Sequence, residues 1–301
     1  MNPVLLWFHQ LGSPPTFDRF AARWAPVAFA LALLTMAAGV YGALFAVPAD
    51  YQQGDSFRIL YIHVPSAWMS MFVYFLMAVY AAIALVWRIK LCEILAMACA
   101  PIGALFTAVT LATGSIWGKP MWGTWWDWDP RLTSELVLLF LYLGVIGLYA
   151  AIEDRRAAAR AAGFLAIVGV VLLPVIRYSV VWWNSLHQGA TISLLGESTM
   201  DPSMRWPLWT MVLATKFWFA GSLLQRARRQ PGTRSRQGLG AHAGRSVAMN
   251  YMEYVVGAYA VFAAFLAWDF VMPRLRLARV RRAIAQRAAR EATRAATGST
   301  P

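Results

Sequence analysis

The chain has 301 residues, of which 59% are hydrophobic and only 14% charged, and its formal net charge is +13. The apolar residues come in long blocks, which excludes a soluble globular domain and predicts an all-α polytopic membrane protein. The positive charge then belongs to membrane topology and calls for a lipid bilayer, with no nucleic-acid partner.

Taken in chain order, uncharged runs occupy 24–46, 66–87 and 94–118. Each is long enough for the roughly 20 residues that cross a bilayer core as a helix. The first run has no small-residue cleavage pattern before it and reads as a retained anchor. Runs at 132–152, 161–181 and 206–225 carry Glu135, Arg177 and Lys216 respectively and complete a six-helix transmembrane bundle over 1–225. A basic stretch rich in Gly, Ser and Arg, 226–249, reads as a flexible linker. Beyond it, 250–301 reads as a separate unit of one hydrophobic helix (254–272) and a cationic tail, a seventh span in all. Cys92 and Cys99 form neither a CxxC nor a CxxCH pattern. They are expected to be small core residues, without thiol exchange or covalently attached haem.

Lys and Arg in short loops stay on the cytoplasmic side. With the N-terminus inside, thirteen cationic residues fall on inner segments of the first six spans, against five outside: Arg58, Lys119, Arg131, Arg177 and Arg205. This orientation sends three loops outward, 47–65, 117–131 and 182–205. The last helix conflicts with it, because a seventh crossing would export the Arg-rich tail. A threaded or cleaved linker, a helix that does not span, and two joined reading frames all remain open.

The second outer loop reads WGKPMWGTWWDWDPR and holds Trp117, Trp122, Trp125, Trp126 and Trp128. If its middle is a short helix, Trp122 aligns with Trp125 and Trp126 at i+3 and i+4, giving an apolar face in the interface plane. An aromatic belt is one reading. Belts, however, populate both interfaces, and here ten tryptophans fall at or near the outer side against Trp24 and Trp87 at the inner. A flat platform for a large planar apolar ligand is the other reading. Aromatic faces hold a porphyrin by area and stacking, but iron also needs axial ligands, usually imidazole. Of four histidines, only His63 (in YIHVPSAW) and His187 (in WWNSLHQG) face outward. Pro65 and Ser66 read as the start of the second span, so both histidines are expected in loops, from which they could approach a ring on opposite faces. Arg58, Arg131 and Arg205 are outward guanidinium groups suited to carboxylates such as haem propionates, or ordinary helix-end charges. Asp127 and Asp129 are candidates to orient indole N–H groups or to cap the fourth span.

These motifs resemble the C protein of the cytochrome c maturation machinery, a haem-handling family with a tryptophan-rich segment. The resemblance covers 1–230, through AVPADYQQGDSFRILYIHVPSAW, GSIWGKPMWGTWWDWDPRLTSELVLLFLY and YSVVWWNSLHQG. Residues 249–301 resemble the small single-helix D protein of the same machinery. The family resemblance implies non-covalent haem b as transient cargo, held on the periplasmic face of the bacterial inner membrane. It also implies delivery to a haem chaperone, the E protein, with ABC-type A and B subunits driving release, and a D-like helix supplied in cis. Carried over by residue, it implies His63 and His187 as axial iron ligands, with Trp117, Gly118, Trp122, Gly123, Trp125, Trp126, Trp128 and Asp129 as the platform. The fused D-like helix departs from the family pattern.

No Walker-type GxxxxGK[ST] run is present, so any ATP use is expected of a partner and the chain is not expected to be an enzyme. A polytopic transporter moving haem or another solute is the alternative; it would gather polar groups at the bilayer midplane. An electron-transfer cytochrome would need histidines within its helices.

Overall fold

The computed structural model describes residues 14–183, 185–187, 198 and 200–229, and side chains from Thr16 onward. The chain divides into two compact units, Met1–Val247 and Ala248–Pro301, and the described residues all belong to the first. The expected helix at 254–272, its basic tail, and His9 and His242 lie outside the described residues.

Within the first unit the chain forms α1 (Pro14–Tyr41), α2 (Leu60–Trp87), α3 (Lys90–Trp122), α4 (Pro130–Ala151), α5 (Arg155–Val168), α6 (Leu172–Trp182) and α7 (Pro202–Arg229). A π-turn, Gly42–Ala46, extends α1, and short 3-10 turns, Asp55–Ile59 and Gly169–Val171, lead into α2 and join α5 to α6. Among the described residues there is no strand beyond one isolated bridge between Asp50 and Gly54. Among the described residues, five continuous helical stretches are long and apolar enough to cross a membrane: Thr16–Ala46, Asp55–Trp87, Lys90–Trp122, Pro130–Ala151 and Arg155–Trp182. The sixth expected run falls in α7, a 28-residue helix that is not apolar enough to meet that measure. Arg226, Arg228 and Arg229 had been assigned to the linker; α7 continues through Arg229.

The helices pack by close approach of small residues, which is how helices associate where lipid removes most of the hydrophobic drive. A Cβ on Gly103 of α3 would lie 2.1 Å from the Tyr142 ring of α4. Tyr142, fully buried, stacks edge-on against Tyr74 at 5.0 Å and donates its hydroxyl to the Ser70 carbonyl at 2.7 Å, tying α2, α3 and α4 together. On the other flank α7 lies along α1, with Gly42 against the Trp206 ring. The two helices are joined at their far ends by an ion pair, Arg228 Nε to Asp18 Oδ1 at 2.9 Å. Lys216 of α7, on an exposed face, sits over the Phe72 ring at 4.8 Å, a cation–π contact that gives this charge a partner on α2. Cys99 is fully buried in the main core and Cys92 is half-buried, both as free thiols.

Short connections at 88–89 and 152–154 turn the chain at one end of the bundle. The start of α2, the end of α3, the start of α4 and the end of α6 therefore meet at the other end, with the described parts of the three expected outer loops.

Candidate haem-binding site

Two sequence expectations are corrected here. His63 does not sit in a loop: the 3-10 turn Asp55–Ile59 runs directly into α2, so His63 is in the first turn of that helix, 5% exposed, and Pro65 lies inside it. Proline removes only the bond to the carbonyl four residues back, which a helix tolerates near its start. The tryptophan run is not a short interfacial helix either. α3 continues through Pro120 to Trp122 and ends at Gly123, whose φ of 77° requires glycine and whose N–H bonds the Lys119 carbonyl at 3.1 Å. Trp122 thus belongs to the last turn of α3, while Trp125 and Trp126 hang on a non-helical link, and the i+3/i+4 alignment does not form.

That link closes on Asp129, which is 5% exposed and caps α4. One carboxylate oxygen accepts from the Arg131 amide at 2.8 Å; the other accepts from the Leu186 amide at 2.9 Å. Pro130 in the first turn of α4 completes the start of the helix. A single side chain therefore fixes both the helix after the tryptophans and the stretch carrying His187. Asp127 remains exposed and does not cap.

Beside this junction lies a small, shallow recess. It is lined by Trp122, Trp125 and Trp126, by Gly114 and Gly118 of α3, and by Leu132, Leu186 and His187. The Trp126 indole nitrogen is buried without a hydrogen-bond partner. Gly114 and Gly118, one turn apart, leave room: a Cβ at 114 would come 3.2 Å from the His63 ring, and one at 118 would come 3.1 Å from Trp122.

The His63 and His187 rings lie 6.1 Å apart between centroids, with planes tilted by 31°. Two imidazoles on opposite sides of one metal, at metal–nitrogen distances of about 2.0–2.1 Å, place their centroids roughly 6 Å apart. Among the described residues no group of three or more His, Cys, Asp or Glu gathers to hold a metal. A two-imidazole set is too small for a tetrahedral ion, but suits an iron whose porphyrin fills the equatorial positions. Trp117 packs edge-on to His63 at 5.8 Å and Trp122 faces His187 at 6.4 Å.

The other candidates are placed as follows. Arg131 is half-buried and within electrostatic reach of His63, Asp129 and Glu135. Arg58 is turned away: it bonds the Ala43 carbonyl, the Val47 carbonyl at 3.0 Å and Asp55 at 2.9 Å, capping the π-turn after α1. Arg205 likewise holds the Met200 and Ser198 carbonyls, at 2.6 and 3.1 Å. Trp128 packs edge-on behind Trp126 at 5.6 Å, outside the recess lining. Sequence reasoning passed over Gly114, Thr113, Gln53 and Leu186. The GxxxG spacing of Gly114 and Gly118 was the one available signal for any of them.

A bundle of long apolar helices with a tryptophan-lined recess and two neighbouring histidines at one end defines the class: a multi-pass membrane protein. The chain belongs to the heme exporter protein C family, whose sequence profile it matches over residues 7–241. Residues 249–292 match the profile of heme exporter protein D. It is 52% identical over 202 residues to heme exporter protein C of Haemophilus influenzae, covering 67% of this chain and 82% of that one. Against the Escherichia coli K12 protein of the same name the identity is 55% over 201 residues, covering 66% and 80%. A putative cytochrome c biosynthesis ccmC-like mitochondrial protein of Marchantia polymorpha is 40% identical over 199 residues, covering 66% and 84%.

Proposed function

We propose that this protein binds non-covalent haem b between His63 and His187 and hands it to a partner during the maturation of c-type cytochromes. The observation that carries the reading is the 6.1 Å spacing of the two imidazoles, one of which, His187, lines the recess. The names of the relatives agree with it. Trp125 and Trp126 supply a wall for the porphyrin face. The unpartnered Trp126 indole N–H and the Arg131 guanidinium are the donors nearest to hand for a propionate. Gly118 gives the ring clearance, and Gly123 and Asp129 set the course of the wall.

The protein acts as a haem-holding module and not as a bond-making enzyme. The cargo leaves to a haem chaperone, the E protein, with ABC-type A and B subunits supplying the energy. The D-like unit at 249–292 serves in cis. The protein sits in the bacterial inner membrane with its N-terminus cytoplasmic and the recess periplasmic, on the charge asymmetry of its loops. α7, about 42 Å long at 1.5 Å per residue, makes the sixth crossing beside α1.

The test is optical. Protein purified after expression with haem supply gives a low-spin bis-histidine reduced spectrum; His63→Ala and His187→Ala each lose it. An unchanged bis-histidine spectrum in both variants overturns the ligand assignment.

A further inference from the structure

The His63 ring makes a contact that neither the tryptophan segment nor the histidine pair explains. Its Nδ1 lies 3.0 Å from the Thr113 hydroxyl oxygen, on the neighbouring helix α3. Thr113 Oγ1 also lies 2.7 Å from the Val109 carbonyl and 3.2 Å from the Thr110 carbonyl. A carbonyl can only accept, so the single hydroxyl proton goes to Val109 and the Thr113 oxygen is left as an acceptor toward the ring. That contact places the proton on Nδ1 and leaves the lone pair on Nε2.

We propose that Thr113 is the positioning residue that holds His63 in its Nδ1–H tautomer, so that Nε2 is presented to the haem iron. A ligating histidine normally donates its second ring nitrogen to an oxygen that fixes tautomer and ring plane. Here that oxygen is a threonine hydroxyl, itself aimed by its own helix backbone. Gly114, the next residue, completes the seat, since any side chain there would press on the His63 ring. Thr113 touches neither porphyrin nor iron; it acts through His63.

The inference rests on the reading of His63 and His187 as iron ligands, and the experiment separates the two. Full-length protein, wild type, Thr113→Ser and Thr113→Val, is purified with bound haem. Haem loss to excess apomyoglobin and the reduced spectrum are then recorded. Thr113→Ser keeps the acceptor oxygen and retains wild-type spectrum and rate. Thr113→Val, the same shape without the oxygen, loses haem about 10–100-fold faster and has a perturbed low-spin spectrum, while its unfolding temperature stays close to that of Thr113→Ser. Wild-type rate and spectrum in Thr113→Val overturn the proposal, as does a Thr113→Ser variant as impaired as Thr113→Val. If Thr113→Val does not accumulate as folded protein, Thr113→Ala carries the same comparison. A wild-type protein without a bis-histidine spectrum instead defeats the underlying ligand reading, and this proposal with it.

Discussion

Gly103 and Tyr142 interlock so closely that a single methyl group would not fit between them: a Cβ at 103 would stand 2.1 Å from the phenol ring. Tyr142 cannot yield, because its hydroxyl is bonded to the Ser70 carbonyl and its ring is wedged against Tyr74. Gly103→Ala is therefore expected to destabilise the bundle by about 3 kcal/mol, the upper end of the usual overpacking range. Thermal unfolding in detergent should show a Tm lower by on the order of 5–10 °C. Gly123→Ala, with open space around its Cβ but φ at 77°, should cost about 1 kcal/mol through backbone strain alone.

The two oxygens of Asp129 serve two different amides, and this gives a graded pair of variants. Asp129→Asn keeps one acceptor oxygen, so it can cap α4 or hold Leu186 but not both. It should cost about 1 kcal/mol and weaken haem retention. Asp129→Ala loses both contacts and should cost about 2 kcal/mol. Chemical unfolding monitored by tryptophan fluorescence, beside haem loss to apomyoglobin, distinguishes the two.

Trp117 does two things, and they can be separated. Its ring packs on His63, while its Nε1 donates to Gln53 Oε1 at 3.1 Å across the first outer loop. Trp117→Phe and Gln53→Ala should each lose about 1 kcal/mol, and the double variant little more than either one. A double-mutant cycle that comes out additive would show that the bond carries no stability.

Arg58 and Arg131 are told apart by what they damage. Arg58→Ala removes a charged cap from two carbonyls and should lower stability by about 2 kcal/mol. Arg131→Ala should speed haem loss more than it lowers Tm. Reversal of these two patterns would return Arg58 to the site.

How far the site was legible in the sequence follows from the kind of signal each residue leaves. His63, His187 and the tryptophans announce themselves by residue type, and the charge asymmetry of the loops gathers them at one end. The helical setting of His63 was hidden because Pro65-Ser66 looks like a helix start, whereas the 3-10 turn before it makes the helix begin earlier. The course of the tryptophans was hidden because one glycine ends α3 after Trp122, a choice of backbone geometry that periodicity cannot reveal. Thr113 and Gly114 sit in an apolar run where a span needs only small or greasy residues. What singles them out is the histidine packed against them from another helix, and that is a tertiary fact.

The two histidines are mounted differently. His63 rides on a 28-residue helix and is keyed to the helix beside it, whereas His187 follows the end of α6 and is moored to α4 through the amide of its neighbour, Leu186. The pair thus resembles a vice with one jaw cast into the frame and the other fastened to it partly through the Asp129 carboxylate. Whatever loosens that fastening moves His187 before His63, so under the proposed function the His187 side is the one that opens first.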